Sequence, residues 1–64
     1  MKNRIRIERA EHNISQAMLA DKVKVSRQTI ISVENGKYIP STELALRLSE
    51  VFGKTVNELF FLEE

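Results

Sequence analysis

The chain has 64 residues, 42% of them hydrophobic and 30% charged, with no cysteine, no tryptophan and one histidine. Domains typically run ~100–150 residues and a chain this short buries only about 60% of its unfolded surface, so one domain with a small core is expected over residues 1–64. The absence of cysteine excludes a disulfide framework and a thiolate zinc site, and His12 cannot build a metal site alone; neither metal nor cofactor is expected.

The longest apolar run, Leu59-Phe60-Phe61-Leu62, falls far short of the ~20 residues of a membrane span. The start, Met1 to Arg6, lacks the apolar stretch of a signal peptide, so a cytoplasmic location with no membrane partner is expected. The net charge is +1, yet it is unevenly spread: residues 1–40 carry a net of +4 and residues 41–64 a net of −3. Such asymmetry suits one face turned toward a polyanion and one turned away.

In chain order, Asn13, Lys24-Val25-Ser26, Asn35-Gly36, Pro40-Ser41 and Gly53-Lys54-Thr55 divide the sequence into short helical segments. The first, about 2–12, carries Ile5, Arg9 and His12 on one stripe and ends at Asn13, which tolerates left-handed geometry. The alternation Ile5-Arg6-Ile7 makes a short strand at the start the competing reading.

Ser15 caps a second helix with Met18, Leu19 and Val23 in one apolar arc and small Ala17 and Ala20 for close packing. Ser26 caps a third, about 26–35, in which Ile30 and Val33 face the core. Gly36 ends it, and Pro40 bars continuation. Ser41 then caps a fourth helix with Leu44, Ala45, Leu48, Val51 and Phe52 inward, and Gly53 stops it. Thr55 and Glu58 match a capping box opening a last short helix with Val56, Leu59 and Phe60. The tail from Phe61 to Glu64 frays or forms an edge strand. The fold class is therefore all-α, a compact five-helix bundle with room for short terminal strands.

Function is concentrated in residues 16–35. Two helices of about eight residues are joined by a turn too short for an antiparallel return, so they cross steeply as a helix-turn-helix. Gln16-Ala-Met-Leu-Ala20, Val25-Ser-Arg-Gln-Thr-Ile30 and Val33-Glu-Asn-Gly-Lys37, in that register, resemble the Cro and phage-repressor family, also called the xenobiotic-response-element family. The resemblance is nearest to its small stand-alone members. Two positions depart from the family pattern: Lys24 and Asn13 stand where glycine is usual. Lys24 must then take a strained φ or the turn must differ.

The resemblance implies a DNA-binding transcriptional regulator, a repressor acting as a homodimer on a near-palindromic operator, with no small-molecule ligand domain. Its third helix would enter the major groove of double-stranded DNA. Arg27, Gln28, Ile31 and Ser32 face away from the core there. Gln28 pairs with adenine, Arg27 with guanine or a phosphate, and Ile31 touches a thymine methyl. Ser32 is short and reaches a base through water. Gln16, Lys24, Ser26, Asn35, Lys37 and Tyr38 are implied phosphate contacts, which position without reading sequence. Arg9 and Glu34 are implied to form a partly buried salt bridge.

A dimer needs an apolar surface away from DNA, for which Ile39, Phe60, Phe61 and Leu62 are the candidates, with Ile5 and Ile7 adding a short strand. An enzyme is not expected: no spacing pairs a nucleophile with a base, and two glycines make no phosphate loop. The alternative is an antitoxin or adaptor that keeps the fold as a protein-interaction module, for which Ile31 is the one residue that speaks.

Overall fold

Four hydroxyl side chains start four of the helices. In a computed structural model describing residues 1–63, the elements are β1 (Lys2–Asn3), α1 (Ile5–Glu11), α2 (Gln16–Val23), α3 (Arg27–Glu34), α4 (Thr42–Phe52), α5 (Val56–Leu59) and β2 (Phe60–Phe61). Ser15, Ser26, Ser41 and Thr55 precede α2, α3, α4 and α5 in extended geometry, and each accepts the backbone N–H three residues on. A cap of this kind stabilises a helix by ~1 kcal/mol, which matters for elements too short to persist alone. Thr55 and Glu58 complete the reciprocal capping box.

The helix ends depend on left-handed residues: Asn13 at φ 55°, Lys24 at φ 62°, Gly36 at φ 73° and Gly53 at φ 64°. Gly36 meets a second constraint, since a Cβ there would lie 3.2 Å from the Met1 carbonyl oxygen.

The N-terminus differs from the expected helix over 2–12. Lys2 pairs with Phe61 and Asn3 with Phe60 in a two-stranded antiparallel ladder, and the Arg4 N–H continues it to the Leu59 carbonyl at 2.9 Å. Asn3 holds the extended chain in place: its side-chain amide donates to the Val33 carbonyl at 2.8 Å and its oxygen accepts the Ile5 N–H at 3.1 Å. Ile5 and Ile7 therefore lie in α1 rather than in a strand. Ile5 is fully buried and Ile7 is exposed. Glu64, the last residue of the expected tail, lies outside the described residues.

Ile5, Leu19, Ala20, Val23, Ile30, Val33, Leu44, Leu48, Phe52 and Leu59 form the core, with Ile14, Val25, Val51 and Phe60 against it. Met18, placed in the apolar arc of α2 by spacing, is half exposed instead. One acid joins this apolar set. Glu8, three residues after Ile5, has no exposed surface. Lys54 Nζ donates to its Oε2 at 2.7 Å, and Arg4 Nε lies 3.8 Å away. That hydrogen bond to Glu8 is the main reason the Lys54 ammonium titrates above its ordinary value. Among the described residues Glu8 Oε1 has no hydrogen-bond partner, and His12 Nδ1 lies 4.0 Å from it. The His12 ring instead takes the Glu8 carbonyl at 2.9 Å and packs edge-on against Phe52.

A lysine in left-handed geometry costs roughly 1–2 kcal/mol, partly offset by the entropy a glycine would lose on folding. Lys24→Gly is therefore expected to stabilise the domain by about 0.5–1 kcal/mol, read as a raised urea midpoint at unchanged slope. An unchanged or lowered midpoint would show that the turn carries no strain at Lys24.

Candidate nucleic-acid interface

The turn between α2 and α3 is built from three residues with separate tasks. Lys24 reverses the chain, and its N–H bonds to the Asp21 carbonyl at 3.3 Å. Val25 turns its N–H back to the Ala20 carbonyl at 3.0 Å and packs its side chain on the core. Ser26 then caps α3. Ala20 is 4% exposed, small enough for the two helices to approach closely. Arg47 of α4 buttresses the turn from behind, its guanidinium reaching the Val23 carbonyl at 3.3 Å.

Most of the polar face of α3 opens into one shallow concavity, lined by Ser26, Gln28, Thr29, Ser32, Lys37 and Tyr38. Five of these were named from sequence. Thr29 was not, although it sits beside Gln28 and three residues from both Ser26 and Ser32. Its N–H donates to Ser26 Oγ at 3.2 Å, and the two hydroxyls lie 2.9 Å apart. The backbone N–H groups of Lys37 and Tyr38 both bond to the Ser32 carbonyl, which ties the loop after α3 to that helix.

Arg27 and Gln16 fall elsewhere, in a second concavity shared with Arg9, Ser15 and Ala17. Asn35 lies near the N-terminus, and its side-chain oxygen accepts from Arg6 at 3.2 Å. Ile31 is half-buried and lines neither concavity, and Lys24 is exposed at the turn.

Behind this face stands Glu34, whose side chain has no exposed surface. Arg9 Nε donates to its Oε2 at 2.6 Å and Arg9 Nη2 to its Oε1 at 3.4 Å. Gln16 Nε2 adds a donor to Oε1 at 3.1 Å, and Arg6 Nε stands 3.7 Å away. Arg9 Nη1 also closes the α1–α2 loop on the Ile14 carbonyl at 3.0 Å. Burial pushes the Glu34 carboxyl up, but the hydrogen bonds from Arg9 and Gln16 and the charges of Arg9 and Arg6 outweigh it, holding the group below its ordinary value. Arg6 and Gln16 are partners of this pair that sequence spacing does not disclose, because both reach it from other helices.

A different surface is apolar. Ile39 is 70%, Leu46 54%, Leu62 83% and Phe61 40% exposed. Met1, Pro40, Leu46, Val56 and Phe60 line a groove on the domain. Phe60 itself is half-buried against the core. Leu46 was missed from sequence, since it lies off the inward arc of α4. Among the described residues, no helix is long and apolar enough to cross a membrane, and no group of three or more His, Cys, Asp or Glu side chains could hold a metal ion.

This arrangement, two capped helices around a left-handed turn with a polar second helix facing out, defines a helix-turn-helix domain. The chain belongs to the helix-turn-helix family, whose pattern it matches over residues 5–59. It is 47% identical to an uncharacterized HTH-type transcriptional regulator of Methanocaldococcus jannaschii, over all of this chain and 97% of that protein. It is 41% identical to YgzD of Bacillus subtilis, also an uncharacterized HTH-type transcriptional regulator, over all of this chain and 97% of the relative. The crystal structure of the clp gene regulator ClgR of Corynebacterium glutamicum superposes with a TM-score of 0.75 at 27% identity, covering 81% of this chain and 55% of ClgR.

Arg9→Met removes the main partner of a shielded carboxylate and is expected to cost about 3–5 kcal/mol, lowering the urea midpoint at constant slope. A loss below about 1 kcal/mol would mean that Gln16 and Arg6 hold Glu34 unaided. The depressed native value of Glu34 sets a pH signature. Its stabilisation is complete above the ordinary carboxylate value of 4.5 and is lost as pH falls below it, through the lowered native value. Glu58, lowered by the Thr55 backbone and hydroxyl hydrogen bonds, acts in the same window.

Proposed function

We propose that the chain is a sequence-specific DNA-binding transcriptional regulator, a cytoplasmic repressor that binds a near-palindromic operator as a homodimer. The observation that carries this reading is the convergence of Gln28 and Ser32 of α3 with Lys37 and Tyr38 of the following loop on one polar concavity. A helix laid in the major groove would put Gln28 against a base edge, where its amide pairs bidentately with adenine. Ser32 reaches a base through water and Ile31 offers a partial contact to a thymine methyl. Lys37, Tyr38, Ser26, Asn35, Gln16 and Lys24 take the phosphates, the lysines by charge and the others by hydrogen bonding. Arg27, exposed in the neighbouring concavity with Gln16, takes a guanine or a phosphate.

The regulator relatives support a role without catalysis. An adaptor would present apolar or acidic residues on the exposed face of α3, and Ile31, the residue that favours that reading, is half-buried. The operator-binding reading is tested by selecting bound sites from random duplex DNA at two salt concentrations. Related half-sites support it. Uniform, salt-sensitive binding leaves only a basic surface and overturns it.

Two substitutions separate reading from clamping. Gln28→Ala is expected to cost about 1–3 kcal/mol on the preferred site and to relax choice at one base pair per half-site. Lys37→Ala is expected to weaken all sequences alike and to lower the salt slope by about one unit. Equal losses on every sequence for Gln28→Ala would make Gln28 a phosphate contact.

One recognition helix covers few base pairs, and pairing two of them one DNA turn apart, ~34 Å, brings affinity and palindromic preference. Exposed Ile39, Leu46, Phe61 and Leu62, beside the groove that includes Phe60, are the surface we assign to the second protomer. Wild type should sediment as a dimer at micromolar concentration, and Leu46→Asp or Phe61→Asp as a monomer. A monomeric wild type refutes the dimer, and dimeric variants move the interface elsewhere.

A further inference from the structure

The cluster around Glu34 holds more positive charge than its carboxylate can use. Arg9 Nε donates to Oε2 at 2.6 Å, while Oε1 accepts Arg9 Nη2 at 3.4 Å and Gln16 Nε2 at 3.1 Å. Arg6 is the outermost member: its Nε stops 3.7 Å from Oε1, beyond good hydrogen-bond reach, and its side chain is 67% exposed. Arg9 alone balances the shielded carboxylate, so Arg6 is a surplus cation at the end of α3. Glu63 does not offset it, because that acid lies 3.7 Å from the Met1 ammonium. Lys2, which lines one concavity with Glu34 and Asn35, adds a further positive charge.

Most donors of Arg6 are also unused. Its hydrogen-bond partner among the described residues is Asn35, whose Oδ1 accepts from Nη2 at 3.2 Å. A guanidinium only donates, so the Asn35 amide turns its oxygen toward Arg6 and its NH2 away. Asn35 is exposed and follows α3 directly, and Lys37 stands two residues on, its N–H bonded to the Ser32 carbonyl at 2.9 Å. The exposed end of α3 thus presents the N–H groups of a guanidinium and an amide side by side, within an excess of positive charge. Such a set matches an oxyanion: the guanidinium supplies charge and paired donors, and the amide adds a neutral donor.

We propose that Arg6 joins Asn35 in gripping one backbone phosphate of the bound DNA, which extends the interface from the helix-turn-helix onto α1. This rests on the DNA-reading proposal above, in which Asn35 takes a phosphate. It adds a residue of the first helix that contributes affinity and no base preference. A purely structural partner of Glu34 would change stability and leave the salt dependence of binding untouched.

Wild type, Arg6→Gln, Arg6→Lys, Asn35→Ala and the double variant Arg6→Gln with Asn35→Ala are titrated against the selected site and an unrelated duplex over a range of salt. Arg6 and Asn35 are exposed, so these variants are expected to fold, which thermal unfolding checks. Arg6→Gln should weaken binding several-fold on both duplexes alike and lower the salt slope by about one unit. Arg6→Lys should keep the slope, since the charge remains, yet still bind more weakly, because an ammonium lacks the fork. The double variant should lose less than the two single losses combined, as expected of residues that share one phosphate. An unchanged slope in folded Arg6→Gln overturns the proposal, and so does a loss confined to the selected site. Wild-type affinity in Arg6→Lys, or fully additive losses in the double variant, overturns the shared grip. The DNA-reading proposal fails differently, by wild type selecting no sequence at all.

Discussion

The shielded carboxylate of Glu34 is the point at which the first three helices meet. It sits at the end of α3, takes two hydrogen bonds from Arg9 of α1 and one from Gln16 of α2, and so records the relative placement of all three. A carboxylate without exposed surface is costly unless its lone pairs are filled, and the donors come from elements far apart in sequence. Any movement of α3 away from α1 or α2 would strand that charge. The orientation of the outward face of α3 is thus held from its buried end.

The remaining constraints act on chain direction. Hydroxyl caps begin α2, α3, α4 and α5, and left-handed residues end α2 and α4 and shape the loops after α1 and α3. At 64 residues the core is small, so these local devices carry a larger share of the specification than they would in a bigger domain. A second ion pair, between buried Glu8 and partly exposed Lys54, links α1 to the loop before α5. The Asn3 side chain and the β1–β2 ladder draw the two ends of the described chain together beside α3. Polar α3 and the apolar surface of Ile39, Leu46 and Leu62 are thereby distinct features of one domain, the first suited to a charged polymer and the second to another apolar surface.

Much of this was legible from residue order alone. Ser15, Ser26, Ser41 and Thr55 mark helix starts because a short hydroxyl side chain can satisfy a backbone N–H three residues on, a local property independent of tertiary context. Asn13, Gly36 and Gly53 mark ends for the same kind of reason, and the inward faces of α3 and α4 follow from helical spacing. The polar character of Gln28, Ser32 and Lys37 and their grouping around one turn could also be read directly. Spacing failed where a side chain takes its partner from a distant segment. Nothing in the segment around Glu8 marks it as buried, because its partner Lys54 is 46 residues away. Met18 read as core because the period of a helix does not tell how wide the covering neighbour is. Lys2 and Asn3 read as helical because their strand partners, Phe60 and Phe61, lie at the other end of the chain.

The sequence by itself therefore determined the local grammar of this protein: where helices start and stop, which faces are apolar, and that a short turn joins two helices around residue 24. These depend on interactions within about four residues, which residue order specifies directly. Only the tertiary structure decided which charges are buried and paired, that Leu46 joins the exposed apolar surface, and that Arg27 and Gln28 open into different concavities. Those outcomes depend on distances between segments that residue order does not encode locally, and on whether a buried polar atom finds a partner there.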